Sequence, residues 1–161
     1  MVVSQDEIAS RVGDQVMRDG GNAIDAAVAT AFALAVTYPT AGNIGGGGFL
    51  VYRPAEGDPV AYDFRETAPG GSSPTMFMTS GEYDRVLHHN SHRAVGVPGT
   101  VAGLYLAWSE HGSLSWQRLV EPAVTLAREG FTLSDPLARS LAGVLPRMAD
   151  HPASVAQFSR H

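Results

Sequence analysis

The sequence predicts a mixed α/β chain of the α+β kind, because helical and extended segments occur in separate blocks. Two helix patterns come first, two strand patterns follow, and three further helix patterns complete the order. Glycine and proline separate these segments, as they do at element ends in globular proteins. The length of 161 residues suits one domain, and neither a repeat nor a linker interrupts it. We therefore expect the range 1–161 to have no internal domain boundary.

The first helix is predicted to run from Ser4 to about Arg18. Ser4 and Glu7 stand three residues apart in the order of a capping box, so Ser4 is the predicted cap. Apolar residues then recur at every fourth position, namely Ile8, Val12 and Val16. Gly20 and Gly21 end the helix, since glycine adopts the left-handed backbone without steric cost.

The second helix is predicted over residues 23–36, with Asn22 as its cap and Asp25 in its first turn. Nearly every other position is apolar, so this helix has no polar face and should be buried. Pro39 ends it, because proline cannot continue the helical hydrogen bonds.

Two strands are predicted over residues 49–53 and 59–64, with a hairpin turn at 55–58 between them. An isolated hairpin is marginally stable, so we expect the segment to belong to a larger layered fold. Residues 66–92 are predicted to form a long polar loop, which is longer than an ordinary connection.

Three helices are predicted in the second half of the chain. Pro98 suits the first turn of one helix. Pro122 lies inside the next pattern, so that helix is expected to bend or restart there. No pattern is recognisable after Asp150. The predicted ranges are 98–110, 115–130 and 134–146.

The composition excludes several kinds of function. The chain carries 11 basic and 16 acidic residues, a formal net charge of −5, so nucleic acid is not an expected partner. Every basic residue is arginine, which excludes mechanisms that need a lysine. Cysteine is absent, which excludes thiolate chemistry and disulfides. The apolar run 26–36 is shorter than the ~20 residues of a membrane helix, so no membrane span is expected.

Four consecutive glycines, Gly45, Gly46, Gly47 and Gly48, admit two interpretations. A phosphate-binding loop would need the Walker lysine or a sixth-position glycine, where this chain has Leu50. A helix also precedes the run and a strand follows it, the reverse of the dinucleotide-binding order. We therefore favour close packing of other backbone segments against the glycines.

The histidines His88, His89 and His92 also admit two interpretations. Imidazole nitrogens can ligate a metal, but the polar segment around them offers no enforced geometry. A solvated loop is therefore favoured over a metal site. His111 is placed in the last turn of a predicted helix, where a cation suits the helix dipole. Neither a metal nor a cofactor is predicted.

Arg65 follows the second predicted strand, between Asp63-Phe64 and Glu66. An arginine at a strand end can present two parallel N–H groups to a carboxylate. It can also form an ion pair with Asp63 or Glu66, and residue chemistry alone favours the pair. No nucleophile motif such as Gly-x-Ser-x-Gly or Ser-x-x-Lys occurs in the chain.

Five motifs in order resemble the large subunit of γ-glutamyltranspeptidases and, together with the start of the first helix, extend over nearly residues 1–135. One such motif is weak, whereas five in the same order are specific. Met1-Val2-Val3-Ser4 followed by Ala9-Ser10 also resembles the start of the family's first helix. The motifs are Gly-Gly-Asn-Ala-x-Asp-Ala-Ala from 20, the glycine segment 42–49, Asp-Phe-Arg-Glu-x-Ala-Pro at 63–69, Pro-Gly-Thr-Val-Ala-Gly at 98–103, and Glu-Pro-Ala followed by Ala-Arg-Glu-Gly-Phe within 121–131.

The resemblance implies a partial αββα sandwich of the N-terminal nucleophile hydrolase type. In this family a precursor cleaves itself into a large and a small subunit. The new N-terminal threonine of the small subunit then attacks a γ-glutamyl amide such as glutathione, with its own amine as the base. The γ-glutamyl group passes to water, an amino acid or a peptide. No cofactor is implied.

By this resemblance Arg65 binds the α-carboxylate of the γ-glutamyl group, which reverses the preference for a local ion pair. The other matched motif residues are interpreted as structural: Asn22, Asp25, Gly45, Gly46, Gly47, Gly48, Asp63 and Glu66. No catalytic residue is predicted within this chain, because the nucleophile and the oxyanion donors belong to the small subunit.

The chain is therefore expected to be the N-terminal portion of a large subunit, inactive without the small subunit or the remainder of the precursor. Its family suggests a periplasmic or secreted location. Three alternatives stay open: a related glutaryl or cephalosporin acylase, a poly-γ-glutamate hydrolase, and a non-catalytic truncated remnant.

Overall fold

The computed structural model describes residues 1–159 and shows an α+β chain, as the sequence predicts. Its elements are α1 Glu7–Arg18, α2 Ala23–Thr37, β1 Phe49–Tyr52, β2 Val60–Asp63, β3 Met78–Thr79, β4 Glu82–Tyr83, α3 Arg85–Asn90, α4 Thr100–His111, α5 Trp116–Glu129, α6 Asp135–Val144 and α7 Pro152–Phe158, with 3₁₀ turns at His92–Ala94 and Leu145–Met148. The chain divides into two compact units, Met1–Ala127 and Arg128–His161. The absence of an internal domain boundary stays a prediction.

Helix α1 is capped by Asp6, so the predicted Ser4 cap is wrong. Asp6 has an extended backbone, and its Oδ1 accepts from the Ala9 amide at 3.0 Å. The Ser4 hydroxyl donates instead to the Asp6 carbonyl at 2.8 Å and lies 2.8 Å from Ser10 Oγ. The carboxylate stands nearer to the helix start, and its charge suits the positive end of the helix dipole. It therefore replaces the hydroxyl as the cap.

Helix α2 forms the centre of the hydrophobic core in the first unit. It contributes Ile24, Val28, Ala29, Phe32 and Ala33, each of which is at most 8 % exposed. Helix α1 crosses it closely at Gly13, where a β-carbon would clash with the Thr30 hydroxyl. The predicted burial of this helix is confirmed, because α1, α4, α5 and the first hairpin supply partners for the apolar surface. The partners from those elements include Val16, Leu104, Ala107, Leu119 and Tyr62.

Strands β1 and β2 form the predicted antiparallel hairpin, in which Phe49 pairs with Asp63 and Tyr52 with Val60. Side chains of alternating residues point to opposite faces. The inner face carries the buried Tyr62 and packs on the core. The outer face carries Phe49 and Val51, which are 65 % and 74 % exposed.

The segment 66–92 is not a simple loop, which corrects the sequence prediction. It contains the hairpin β3–β4 and the short helix α3. Asp84 caps α3 by accepting from the Leu87 amide at 2.9 Å, and this hydrogen bond, with a second from the Thr79 hydroxyl, lowers the pKa of Asp84. Two-residue strands and a six-residue helix are too short to produce a recognisable period, so the sequence could not reveal them.

Helix α5 runs through Pro122 as one helix, Trp116–Glu129, so the predicted restart is wrong and the predicted bend stays a prediction. Proline removes one helical N–H donor. Leu119 and Ala123 on either side of it are buried, and this packing outweighs the lost hydrogen bond. The tail after Asp150, where no pattern was recognisable, contains α7.

Candidate functional site

The candidate site is the Arg65 platform, which we define as residues 46–48, 64–66 and 99–100. These three short segments belong to three separate sequence motifs. The structure brings them into direct backbone contact at one end of the β1–β2 hairpin, where α4 begins. The hairpin continues into the platform, because Gly48 and Phe64 exchange backbone hydrogen bonds of 3.4 and 3.0 Å.

Gly47 lies directly against the backbone that carries Arg65. A β-carbon on Gly47 would stand 2.5 Å from the Phe64 carbonyl oxygen, 2.7 Å from the Glu66 nitrogen and 2.8 Å from the Arg65 α-carbon. Real β-carbons do not approach backbone atoms so closely, so only glycine fits at this position. Gly45, by contrast, has open space around it. The close packing that the glycine run predicts is therefore present at Gly47 and absent at Gly45.

Helix α4 holds the other side of the platform through two further glycines. A β-carbon on Gly99 would clash with the Phe64 carbonyl oxygen, and one on Gly103 would clash with the Phe64 ring. The Phe64 side chain is thus packed against α4 while its backbone is bonded to Gly48. Thr67 and Val97 exchange two more backbone hydrogen bonds just beyond the platform. The backbone of Arg65 is consequently held from both sides.

The Arg65 side chain projects from this rigid backbone into solvent and is 66 % exposed. Its Nε lies 3.8 Å from Glu66 Oε2, which is too long for a hydrogen bond. Asp63 does not pair with the guanidinium; its Oδ1 accepts from the Arg65 backbone amide at 3.1 Å. The guanidinium carbon stands 6.0 Å from the centre of the Phe49 ring. The arrangement therefore offers an exposed cationic fork that local carboxylates do not neutralise closely.

Asn22 and Asp25 have a structural position away from this platform. Asn22 caps α2 and also donates to the His111 carbonyl at 2.6 Å. Asp25 is fully buried, and its carboxylate accepts from the Ser113 amide at 3.1 Å and from the Ser113 hydroxyl at 2.5 Å. Asn22 therefore anchors α2 to the last residue of α4, and Asp25 anchors it to the loop that follows. That loop lies about 16 Å along the α4 axis from the end that meets the platform.

Tyr62, which is buried, contacts the exposed Glu110, and the sequence did not single out this contact. The Tyr62 hydroxyl donates to Glu110 Oε2 at 2.5 Å and ties β2 to α4. Burial raises the pKa of Tyr62 to about 12, and the hydrogen bond to the Glu110 carboxylate adds to the effect. The alternation of strand β2, which turns Tyr62 inward, is the one sequence signal that could have suggested this contact.

Asn43 and Thr100 are also platform contacts that sequence reasoning missed. Asn43 Oδ1 accepts from the Gly46 amide at 2.8 Å and from the Thr100 hydroxyl at 2.8 Å. Asparagine side chains in loops favour hydrogen bonds to backbone amides a few residues ahead, so Asn43 carried a weak signal. The bond to Thr100 carried none, because 57 residues separate the two positions.

The histidine cluster lies on different elements from the platform. His88 and His89 belong to α3, and His92 begins a 3₁₀ turn. The Tyr83 hydroxyl lies 2.7 Å from His88 Nδ1 and 3.3 Å from His89 Nε2. Within residues 1–159, no group of three or more His, Cys, Asp or Glu side chains is arranged to hold a metal ion. The expected absence of a metal site stays a prediction.

No helix in the part of the chain that the structure describes is long and apolar enough to cross a membrane. The site chemistry that the described residues support is the binding of an anion, because an exposed arginine fork on a fixed backbone suits a carboxylate.

A family model described as gamma-glutamyltranspeptidase matches residues 9–161 of the chain. The glutathione hydrolase proenzyme of Escherichia coli is 48% identical over 142 residues, which are 88% of this chain and 24% of that protein. The chain thus spans about a quarter of the length of the curated relatives it matches. These similarities confirm the family resemblance predicted from the five motifs.

Solved structures agree with this similarity. The γ-glutamyltranspeptidase of Helicobacter pylori is 42% identical and superposes with a TM-score of 0.95, over 99% of this chain and 46% of that one. A cephalosporin acylase from Bacillus halodurans is 27% identical with a TM-score of 0.74, over 88% of this chain and 26% of that one. The predicted α+β fold class is confirmed by these neighbours.

Proposed function

The chain belongs to the γ-glutamyltranspeptidase family, and from this premise we propose that it is the N-terminal part of the large subunit of an enzyme that cleaves γ-glutamyl amides such as glutathione. The reaction passes through a γ-glutamyl-threonine ester whose threonine lies outside this chain. The final acceptor of the γ-glutamyl group is water, an amino acid or a peptide. The greater identity to glutathione hydrolases than to the acylase supports a γ-glutamyl substrate.

In the proposed reaction, the threonine hydroxyl adds to the γ-carbonyl carbon and its proton passes to the base. The amide C–N bond breaks, the leaving amine takes that proton, and the ester forms. The acceptor then attacks the ester and regenerates the hydroxyl. The threonine and the base belong to the remainder of the precursor. The part assigned to this chain is the binding and orientation of the substrate.

Arg65 is the residue we propose for that binding. Its fork is exposed, its backbone is held between Gly47 and Gly99, and Glu66 stands too far away to hydrogen-bond it. A γ-glutamyl compound carries a free α-carboxylate at the end remote from the scissile amide. Two parallel N–H donors on a fixed backbone would hold that carboxylate and so place the γ-carbonyl. The exposed, loosely paired guanidinium is the single observation that carries this proposal.

Substitution of Arg65 in the processed full-length protein tests the proposal. We expect Arg65→Ala to raise the KM for a γ-glutamyl substrate by roughly 30-fold or more, because a carboxylate loses its charged partner. Arg65→Lys should recover part of this loss, since lysine keeps the charge without the planar fork. Arg53→Ala is the matched control, because Arg53 lies at the opposite end of the hairpin and bonds only to local carbonyls at Pro54 and Gly57 among its described hydrogen bonds.

A second experiment uses a substrate analogue that lacks the α-carboxylate. Arg65→Ala should leave the kinetics of this analogue unchanged, whereas the parent protein should bind it as poorly as the variant binds the full substrate. An unchanged KM of Arg65→Ala for the full substrate contradicts the assignment.

We also propose that this chain is inactive by itself and acts with the small subunit or the remainder of the precursor. Exposed apolar residues on the outer face of the hairpin, Phe49 and Val51, support a covered surface in the complete protein. The measurement is hydrolysis of a chromogenic γ-glutamyl amide by the 161-residue chain and by the full-length protein. Turnover by the chain alone at the rate of the full-length protein would reject the proposal that the chain is inactive by itself.

The related acylase activity is the alternative that a specific observation favours, namely the structural similarity to the cephalosporin acylase. Glutaryl and cephalosporin side chains lack the α-amino acid head that Arg65 would recognise. Comparable kcat/KM values for a glutaryl amide and a γ-glutamyl amide would favour the acylase. A poly-γ-glutamate hydrolase would instead prefer long polymers over glutathione. A remnant would show neither self-cleavage in the mass of the purified protein nor turnover.

By family resemblance we further propose a periplasmic or secreted location. Fractionation of the source cells followed by detection of the polypeptide tests it. Recovery in the cytosolic fraction alone would overturn this proposal.

A further inference from the structure

We propose that Asn43 and Thr100 are positioning residues that act through Arg65. Their side chains join the glycine segment to the start of α4, and this junction holds the surface on which the Arg65 backbone rests. The inference deepens the proposed function and depends on it, because it concerns the same carboxylate-binding arginine.

The first observation is that hydrogen bonds converge on the Gly46 peptide groups from both sides. The Gly46 amide donates to Asn43 Oδ1 at 2.8 Å. The Gly46 carbonyl accepts from the Gly99 amide at 2.8 Å and from the Thr100 amide at 3.0 Å. Gly99 caps α4 without a side-chain hydrogen bond. The glycine segment therefore satisfies amide donors at the helix start that lack an acceptor within the helix.

The second observation is the side-chain bond that closes this junction. The Thr100 hydroxyl donates to Asn43 Oδ1 at 2.8 Å, and Thr100 is only 8 % exposed. Asn43 also donates from Nδ2 to the Ala41 carbonyl at 3.0 Å. Hydrogen bonds at both Oδ1 and Nδ2 therefore fix the orientation of the Asn43 side-chain amide. One side-chain oxygen thus links the glycine segment to α4.

The third observation is the short path from this junction to Arg65. Gly47, the residue after Gly46, lies so close to Arg65 that a β-carbon on it would clash with the Arg65 α-carbon, and a β-carbon on Gly99, the residue before Thr100, would clash with the Phe64 carbonyl. A shift of the glycine segment relative to α4 therefore moves the two surfaces that hold the Arg65 backbone. Since a long side chain amplifies a small backbone rotation at its tip, the guanidinium would leave the position that fits the substrate.

The experiment uses the processed full-length enzyme with Thr100→Val, Thr100→Ser and Arg65→Ala, singly and with Thr100→Val combined with Arg65→Ala. Valine keeps the shape of threonine and removes the hydroxyl, whereas serine keeps the hydroxyl. We expect Thr100→Val to raise the KM for a γ-glutamyl substrate by about threefold to tenfold, the effect of one lost hydrogen bond, with a smaller change in kcat. Thr100→Ser should restore the parent KM.

Two readouts separate a positioning role from a merely structural one. Thr100→Val should add no further KM increase in the Arg65→Ala background, because the effect passes through Arg65. It should also leave the KM of a substrate analogue without the α-carboxylate unchanged. An equal KM increase in either case overturns the inference. Should Thr100→Val fail to fold, Asn43→Ala removes the same acceptor from an exposed loop position and is expected to give the same pattern.

The single variant Arg65→Ala distinguishes the two failures. A large KM increase for Arg65→Ala with none for Thr100→Val rejects the positioning role and leaves the proposed function standing. No KM increase for Arg65→Ala rejects the proposed function, and the positioning role with it.

Discussion

Gly47 and Arg65 approach each other so closely that a β-carbon on Gly47 would stand 2.8 Å from the Arg65 α-carbon. The two residues belong to different sequence motifs, yet a shift in the backbone of one would displace the other. The contact explains the glycine at position 47, because a backbone passes there without room for a side chain. It also converts an otherwise mobile surface arginine into one with a fixed origin, which a binding role requires.

The first prediction concerns this contact. Gly47→Ala should lower the free energy of unfolding by about 1–3 kcal/mol, because the new methyl group meets three backbone atoms that cannot move independently. It should also raise the KM for a γ-glutamyl substrate, since the displaced segment carries Arg65. Gly45→Ala is the matched control and should change the free energy of unfolding by less than about 0.5 kcal/mol, because its surroundings are open. Equal melting temperatures of the two variants would contradict the prediction.

The second prediction concerns the ring beside the guanidinium. Phe49→Leu should raise the KM for a γ-glutamyl substrate by about twofold to fivefold, because the ring attracts the Arg65 cation and limits its rotation. Phe49→Tyr keeps an aromatic face and should behave like the parent. Val51→Ala, on the same exposed face, is the control for a general effect of surface apolarity. A leucine variant with the parent KM would show that the ring has no part in positioning Arg65.

The third prediction concerns the buried carboxylate of Asp25. Asp25→Asn should lower the free energy of unfolding by about 2 kcal/mol, because an amide N–H₂ group would face backbone donors that now reach a carboxylate oxygen. Asp14→Asn removes a carboxylate that pairs with Arg18 on the exposed face of α1, so it should cost about 0.5 kcal/mol or less. Thermal denaturation of both variants makes the comparison. A loss for Asp14→Asn that matches Asp25→Asn would refute the structural role.

The fourth prediction is a loss of stability in alkali. Unfolded Tyr62 has the ordinary pKa of 10.0, whereas burial raises the pKa of folded Tyr62 to about 12. The folded state therefore holds this proton more tightly, so its contribution to stability is complete below pH 10 and declines as the pH rises from 10 toward 12. Melting temperatures of the parent and Tyr62→Phe between pH 8 and pH 11.5 should converge in that window. A constant difference across pH 10 to 11.5 would contradict the prediction.

Several parts of the fold could be predicted from the sequence because they depend on neighbours along the chain. Asn22 caps α2 through bonds to residues two and three positions later, and the sequence predicted that cap. The β1–β2 hairpin followed from its composition and the turn between its strands. One error was also local: Ser4 and Asp6 can both cap a helix, and the helix starts just after Asp6, whose carboxylate accepts from the Ala9 amide.

Helix α5 shows where local reasoning fails. Pro122 predicts an interruption, because it removes a hydrogen bond from within the helix. The burial of Leu119 and Ala123 decides otherwise, since packing against the core stabilises both turns in one continuous helix. The short elements between residues 66 and 92 could not be predicted for a different reason: two-residue strands and a six-residue helix are too short for a pattern to repeat recognisably.

The sequence by itself determined the order of the principal elements, the family and the identity of the one candidate binding residue, Arg65. Only the tertiary structure decided what surrounds that residue. Glu66 remains loosely paired, Gly47 and Gly99 hold the backbone, and Asn43 meets Thr100 across 57 positions. The physical reason is that these contacts arise from the packing of α4 against the end of a hairpin. That arrangement is set by the whole hydrophobic core rather than by any single stretch of chain.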